Sequence, residues 1–169
     1  MTTITLRSIG LTFLSALCLH SALAVEVGDN LSDLELPDTA VARKVADLRG
    51  RFVYLDFWAS WCGPCRQSFP WMNALQNQYS KDQLVVIGMN VDAKRADADR
   101  FLARNPASFS LAFDVRGDSA KRLNIKTMPT SMLINPEGKV VLVHQGFRTE
   151  DEVPLQASMQ KIMNTQYRK

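Results

Sequence analysis

Two cysteines three positions apart, in Trp61-Cys62-Gly63-Pro64-Cys65, are the residues of this sequence best placed to do chemistry. At a helix start their sulfurs can close a small disulfide ring. A helix N-terminus leaves four N–H groups unpaired and carries partial positive charge. Such a site lowers a cysteine pKa from about 8.5 toward 7 or below. The thiolate, not the thiol, attacks a disulfide sulfur. Cys62 is therefore expected to attack, and Cys65, one turn further in, to resolve the mixed disulfide. Pro64 presets φ in the first turn, where its missing N–H costs nothing. Other uses of a cysteine pair fare less well. Zinc needs four ligands, and the chain beyond its first segment offers no second pair and one histidine, His144. A structural disulfide closing so short a loop constrains little. Copper transfer by two thiols and a histidine stays open as an alternative to redox chemistry.

The elements that must position this pair can be read from periodicity. Phe52–Trp58 is β-branched and aromatic, and apolar on both faces except at Asp56, as in a central strand. Cys62 to Tyr79 is predicted helical, with Phe69, Met72, Leu75 and Tyr79 on one face and Pro70 inside the pattern. Leu84–Asn90 is a second buried strand. Asp92 is expected to cap a helix running to about Arg104, and Asp118 one running to Leu123. A strand is expected at Leu111–Asp114. Thr130–Ile134 and Lys139–His144 flank a turn at Asn135-Pro136-Glu137-Gly138, and a last helix covers about Val153–Asn164. Val25 to Arg49 is a lead-in of short strands and loops. Alternation in the first half predicts parallel pairing and the hairpin in the second half antiparallel pairing. The expected architecture is α/β, a mixed central sheet with helices on both faces.

Composition bounds the rest. The chain has 169 residues, 46% hydrophobic and 22% charged, with net charge +3, which excludes a disordered tail, a coiled coil and a polytopic membrane protein. Lys and Arg are scattered, which argues against a nucleic-acid partner. Three cysteines are too few for a disulfide scaffold. Arg7, the apolar stretch Ile9–Leu19 and Ala22-Leu23-Ala24 describe a secretory signal peptide over residues 1–24, with an uncleaved anchor as the alternative. Residues 25–169 then form the domain, and Cys18 leaves with the signal.

Phe57-Trp58-Ala59-Ser60-Trp61-Cys62-Gly63-Pro64-Cys65 resembles the thioredoxin active site, and the resemblance covers nearly all of the chain beyond the signal. Asp56 lies six residues before Cys62 and Pro70 five after Cys65, matching the family's buried acid and helix proline. Met128-Pro129-Thr130 resembles the cis-proline segment that faces the site. Gly138 and Gly146 resemble the turn glycine and the substrate-groove glycine. The long span between Asp92 and Pro129, with an extra helix and strand, and the N-terminal extension resemble the TlpA/ResA branch, exported bacterial thiol–disulfide oxidoreductases.

This resemblance implies a thioredoxin-like fold with an αβ insertion and a periplasmic location. It implies reduction of disulfides in exported proteins by a monomer that a membrane relay of the DsbD/CcdA type recharges. The Cys62–Cys65 disulfide is the only redox group it requires, with no metal or organic cofactor. Asp56 would relay a proton to or from Cys65, since burial raises a carboxyl pKa. Met128 and Pro129 would dock the substrate backbone, with Trp61, Gly63, Pro64 and Gly146 lining its path. Trp58 is expected to pack below the site, and His144 to be an ordinary strand residue. Two positions depart from the pattern. Gly88 stands where thioredoxin has a lysine near the acid, and Ser68 where ResA-like proteins carry a glutamate. An oxidase or isomerase is the alternative within redox chemistry. A peroxidase is disfavoured by Ala59 at the hydroxyl position of the peroxidatic loop.

Overall fold

The computed structural model describes residues 24–166. The expected signal peptide and Cys18 lie outside the described residues, apart from Ala24.

Five strands form one sheet in the order β3-β2-β1-β4-β5. In chain order the elements are β1 (Phe52–Trp58), α1 (Gly63–Gln78), β2 (Leu84–Asn90), α2 (Arg95–Leu102), β3 (Ser110–Phe113), α3 (Asp118–Arg122), β4 (Thr130–Ile134), β5 (Val140–Gln145) and α4 (Glu152–Gln166). β1, β2 and β3 run parallel, and β4 and β5 join antiparallel. The expected mixed sheet is thus what the chain forms. β1, β2 and β4 are buried along their whole length, which explains why their sequences show no polar face.

Strand alternation sorts β1 onto two cores. Phe52, Tyr54 and Trp58 pack with Phe69, Met72 and Leu75 of α1, Phe101 of α2 and Leu155 and Met159 of α4. Val53, Leu55 and Phe57 pack on the other side with Leu31, Leu34, Leu36, Val45 and Leu48. The lead-in therefore covers one face of the sheet. It is tied down by isolated bridges, Asn30 to Lys139 and Glu35 to Lys44, and by a 3-10 turn at Val45–Leu48.

Two expected caps are corrected. Helix α2 begins at Arg95, and its N-cap residue Lys94 makes no side-chain capping bond among the described residues; the Asp92 carboxylate is engaged elsewhere. Asp118 is the first residue of α3, not its cap. The Asp114 carboxylate, at the end of β3, takes that task. It accepts hydrogen bonds from the N–H of Asp118 (3.1 Å), the N–H of Ser119 (2.7 Å) and the Ser119 hydroxyl. A carboxylate caps N–H groups that follow it in the chain, and Gly117 with φ +66° turns the chain so that those of α3 meet Asp114.

Candidate active site

The three parallel strands end on one side of the sheet, where loops gather functional groups. The loop leaving β1 there carries the cysteines. Cys62 is the N-cap residue of α1, with extended φ −83° and ψ 107°. Its Sγ accepts a hydrogen bond from the Cys65 N–H at 3.1 Å. Cys62 and Cys65 are joined as a disulfide, S–S 1.99 Å and Cα–Cα 5.3 Å. A sulfur in the N-cap position thus takes one of the helix's unpaired N–H donors, the arrangement that stabilises a thiolate once the ring opens. Cys62 is 4% exposed and Cys65 0%. In the joined form both are mostly covered, and what edge is open belongs to Cys62. Trp61 stands out at 71% exposure, the rim expected of it; Gly63 and Pro64 are exposed beside it. Trp58 is buried under the site against Phe69 and Phe101, ring centroids 4.9 and 5.0 Å away.

Asp56 lies on the β1 face whose core includes both cysteines. It is 1% exposed, and its Oδ2 has no hydrogen-bond partner among the described residues. Burial raises its carboxyl well above the usual carboxylate range. A side chain at the neighbouring position would press on two aromatic rings. Gly88 pairs with Asp56 across the sheet, and a Cβ there would meet Phe109 Cε2 at 2.9 Å and Trp58 Nε1 at 3.0 Å. Tyr54, two residues back on the same face, is also pushed up, first by burial and then by the Asp56 charge; a side-chain hydrogen bond with Ser131 opposes this. Ser68 is buried and donates to the Cys65 carbonyl at 3.0 Å.

The Met128–Pro129 peptide bond is cis. Half-buried Met128 packs against the core that holds Cys62. Its own backbone N–H and C=O take part in no backbone hydrogen bond among the described residues. The Pro129 carbonyl accepts from the Gly146 N–H at 2.8 Å, and Gly146 has φ +79°. Met128, Pro129 and Gly146 therefore come together. Trp71 is buried edge-on to Tyr54 and tilted against Phe147, a packing role. His144 is a β5 residue paired with Ser131. Among the described residues no group of three or more His, Cys, Asp or Glu is placed to hold a metal ion.

Sequence reasoning missed Ser60 and Asp92 as parts of the site. Asp92 is buried, and its carboxylate accepts from the Ser60 N–H (2.9 Å), the Ser60 hydroxyl (3.0 Å) and the Asn90 side-chain amide (2.8 Å). The signal was available in the strand ends. Parallel register pairs Trp58 with Asn90, so the residues two beyond each strand, Ser60 and Asp92, leave the sheet side by side.

The sequence profile of the AhpC/TSA family matches residues 27–143. The thiol-disulfide oxidoreductase ResA of Bacillus subtilis is 30% identical over 131 residues, covering 77% of this chain and 73% of that protein. A solved structure from Chlorobium tepidum, described as a thiol:disulfide interchange protein DsbE, is 46% identical with a TM-score of 0.76, covering 83% of this chain and 99% of that one. The thioredoxin domain of a thiol-disulfide oxidoreductase from Bacteroides vulgatus shares the fold at 19% identity, TM-score 0.67, over 83% of this chain and 99% of that one.

Proposed function

This chain belongs to the AhpC/TSA family and is a thiol–disulfide oxidoreductase, and from that premise we propose that it works as a reductase of disulfides in exported proteins. The observation that carries the proposal is the Cys62 sulfur at the N-cap of α1, accepting the Cys65 N–H with its partner sulfur already within bonding distance.

The reaction runs from the opened, dithiol form. The Cys62 thiolate attacks one sulfur of a client disulfide. A Cys62–client bond forms, the client S–S bond breaks, and the departing client thiolate takes a proton from water. Cys65 then gives up its proton and attacks Cys62 Sγ. The Cys62–Cys65 bond forms, and the second client thiolate leaves and is protonated. The client gains two electrons and two protons, and the protein is left as the disulfide seen here. Asp56 is the group proposed to accept the Cys65 proton; its raised affinity for protons, caused by burial, suits that role. Met128 and Pro129 would hold the client backbone, a role supported by the unused N–H and C=O of Met128. Trp61, Gly63, Pro64 and Gly146 would border the client's path.

Returning the disulfide to the dithiol needs an external dithiol donor, for which a membrane relay of the DsbD/CcdA type is proposed. The periplasm is the proposed location, supported by the signal-like pattern of residues 1–24. Among the described residues no helix is long and apolar enough to cross a membrane.

Insulin-disulfide reduction with a thiol donor tests the activity, and equilibration with glutathione tests its direction. The Gly63-Pro64 pair between the cysteines points to a potential nearer about −270 mV than about −120 mV. A value above about −150 mV would overturn the reductase direction in favour of an oxidase.

A further inference from the structure

A concavity that the exchange chemistry leaves unused is lined by residues next to the cysteines in sequence. A cleft of about 500 Å³ opens between the first turn of α1 and helix α2, bordered by Ser60, Arg66, Asp97, Phe101, Arg100 and Arg104. It holds three guanidinium groups against one carboxylate. Asp97 is bound by Arg100; Arg66 and Arg104 have no ion pair among the described residues. Both are exposed. Phe101, nearly buried and packed on Trp58 and Phe69, supplies an apolar wall.

We propose that this cleft docks an acidic polypeptide segment flanking the reactive cysteine of the client, and so selects clients by the charge beside their disulfide. The inference rests on the reductase function above. Position supports it: Arg66 follows Cys65 directly, and Ser60 precedes Cys62 by two residues. Two Cα steps of 3.8 Å put the Ser60 end of the cleft within about 8 Å of Cys62. An extended client chain advances about 3.3–3.6 Å per residue, so a side chain two to four positions from the reacting cysteine reaches the guanidinium groups. Chemistry supports it as well. Arginine presents a planar fork of donors that matches a carboxylate. Two arginines without a protein partner favour an anion, and the neighbouring Asp97 is already neutralised. A basic client segment would meet like charge. A flat, uncharged one would leave the guanidinium groups in water and gain only the Phe101 wall.

The test uses the full chain, reduced beforehand so that a single turnover needs no donor. Two peptide disulfides are compared, identical except that one carries aspartates and glutamates within four residues of its cysteine and the other the corresponding amides. The reading is the ratio of their second-order rate constants, which cancels any change in Cys62 itself. The wild type is expected to favour the acidic peptide about three- to tenfold at low salt, the scale of two exposed ion pairs. High salt should bring the ratio close to one. Arg66→Gln/Arg104→Gln should abolish the preference at low salt, and Arg104→Gln alone, remote from the cysteines in sequence, should lower it part of the way. Equal rates in the wild type, or a preference that survives in the double variant, overturns the docking proposal while leaving the reductase standing. Failure to reduce either peptide sinks both.

Discussion

Replacing Asp92 by alanine should loosen the loop that presents Cys62, and the cost can be worked from its hydrogen bonds. The carboxylate accepts from the Ser60 N–H, the Ser60 hydroxyl and the Asn90 amide at 2.9, 3.0 and 2.8 Å. Hydrogen bonds to a charged acceptor are worth about 1.5–3 kcal/mol each, but a donor that finds water instead recovers part of that. Ser60 is only half-buried, so its two bonds contribute about 1 kcal/mol apiece. Asn90 is fully buried, and its amide would be left without an acceptor at a cost of about 1–3 kcal/mol. Asp92→Ala is therefore expected to lose about 3–5 kcal/mol in urea unfolding of the oxidised protein. Ser60→Ala removes only the hydroxyl bond and should lose about 1 kcal/mol. Because that bond is already gone in Asp92→Ala, the double variant should fall short of the sum by about 1 kcal/mol. Both single variants should also slow insulin reduction, Asp92→Ala more, since Ser60 is two residues from the attacking sulfur. Additivity within about 0.3–0.5 kcal/mol would show that the Ser60–Asp92 bond carries no energy, and the reasoning would fail.

Asp56→Asn should stabilise the protein at neutral pH. Burial raises the Asp56 carboxyl from its ordinary 3.8, so the native state keeps a proton that the unfolded chain has released. The unfolded state then binds fewer protons, and wild-type stability falls as pH rises above that value, levelling off past the native pKa. The advantage of Asn should vanish toward pH 3 and grow with pH, about 1.36 kcal/mol for each unit of upward shift. A pH-independent difference in urea unfolding would refute this. The same variant should slow mixed-disulfide resolution, measured by stopped flow, because the Cys65 proton must then leave to solvent; an unchanged rate across pH would remove the proposed role. Cys65→Ser should trap a client as a stable mixed disulfide through Cys62, visible by mass; an adduct that also forms in Cys62→Ser/Cys65→Ser would contradict the assignment. Gly88→Ala places a methyl 2.9 Å from Phe109 Cε2 and 3.0 Å from Trp58 Nε1. It should cost about 1–3 kcal/mol in thermal or urea unfolding, and a neutral effect would mean that these rings have room to move.

Much of this fold is legible in its residues because the sheet is central. Phe52–Trp58 and Leu84–Asn90 are buried on both faces, so each announces itself as an apolar run with strand length. The cysteine pair stands out by its own spacing, whereas Asp56 and the Met128-Pro129 segment are picked out through the resemblance to thioredoxin; the structure buries Asp56 and makes the Met128–Pro129 bond cis. The lead-in resisted. Leu31, Leu34 and Leu36 are buried, but they lie between turns and single bridges that impose no period, so nothing local shows that they roof one side of the sheet. Helix caps failed for a related reason. Asp92 and Asp118 both stand where a cap could be, and a sequence alone does not say that Asp92 is nearer to Ser60, or that Asp114 reaches α3 first. Those choices are made by strand register and by the αL turn at Gly117.

Register also explains the departure at Gly88. The position faces Asp56 across β1 and β2, on the face where Trp58 and Phe109 pack. Those two rings occupy the volume that a side chain at Gly88 would need. The aromatic packing that supports the cysteine loop from below and the lack of a cation at residue 88 are thus one arrangement. An acid paired with a lysine would be held ionised by that charge; Asp56 instead has its affinity for protons set by burial. A carboxyl poised that way holds its proton until a stronger base is presented to it. When the ring opens, the sulfur of Cys65 becomes such a group in the core on the same face of the sheet, which is the setting of the proton relay proposed for Asp56. The positive charge at Arg66, Arg100 and Arg104 is exposed along the cleft between α1 and α2, and the Asp56 shift comes from burial and not from it.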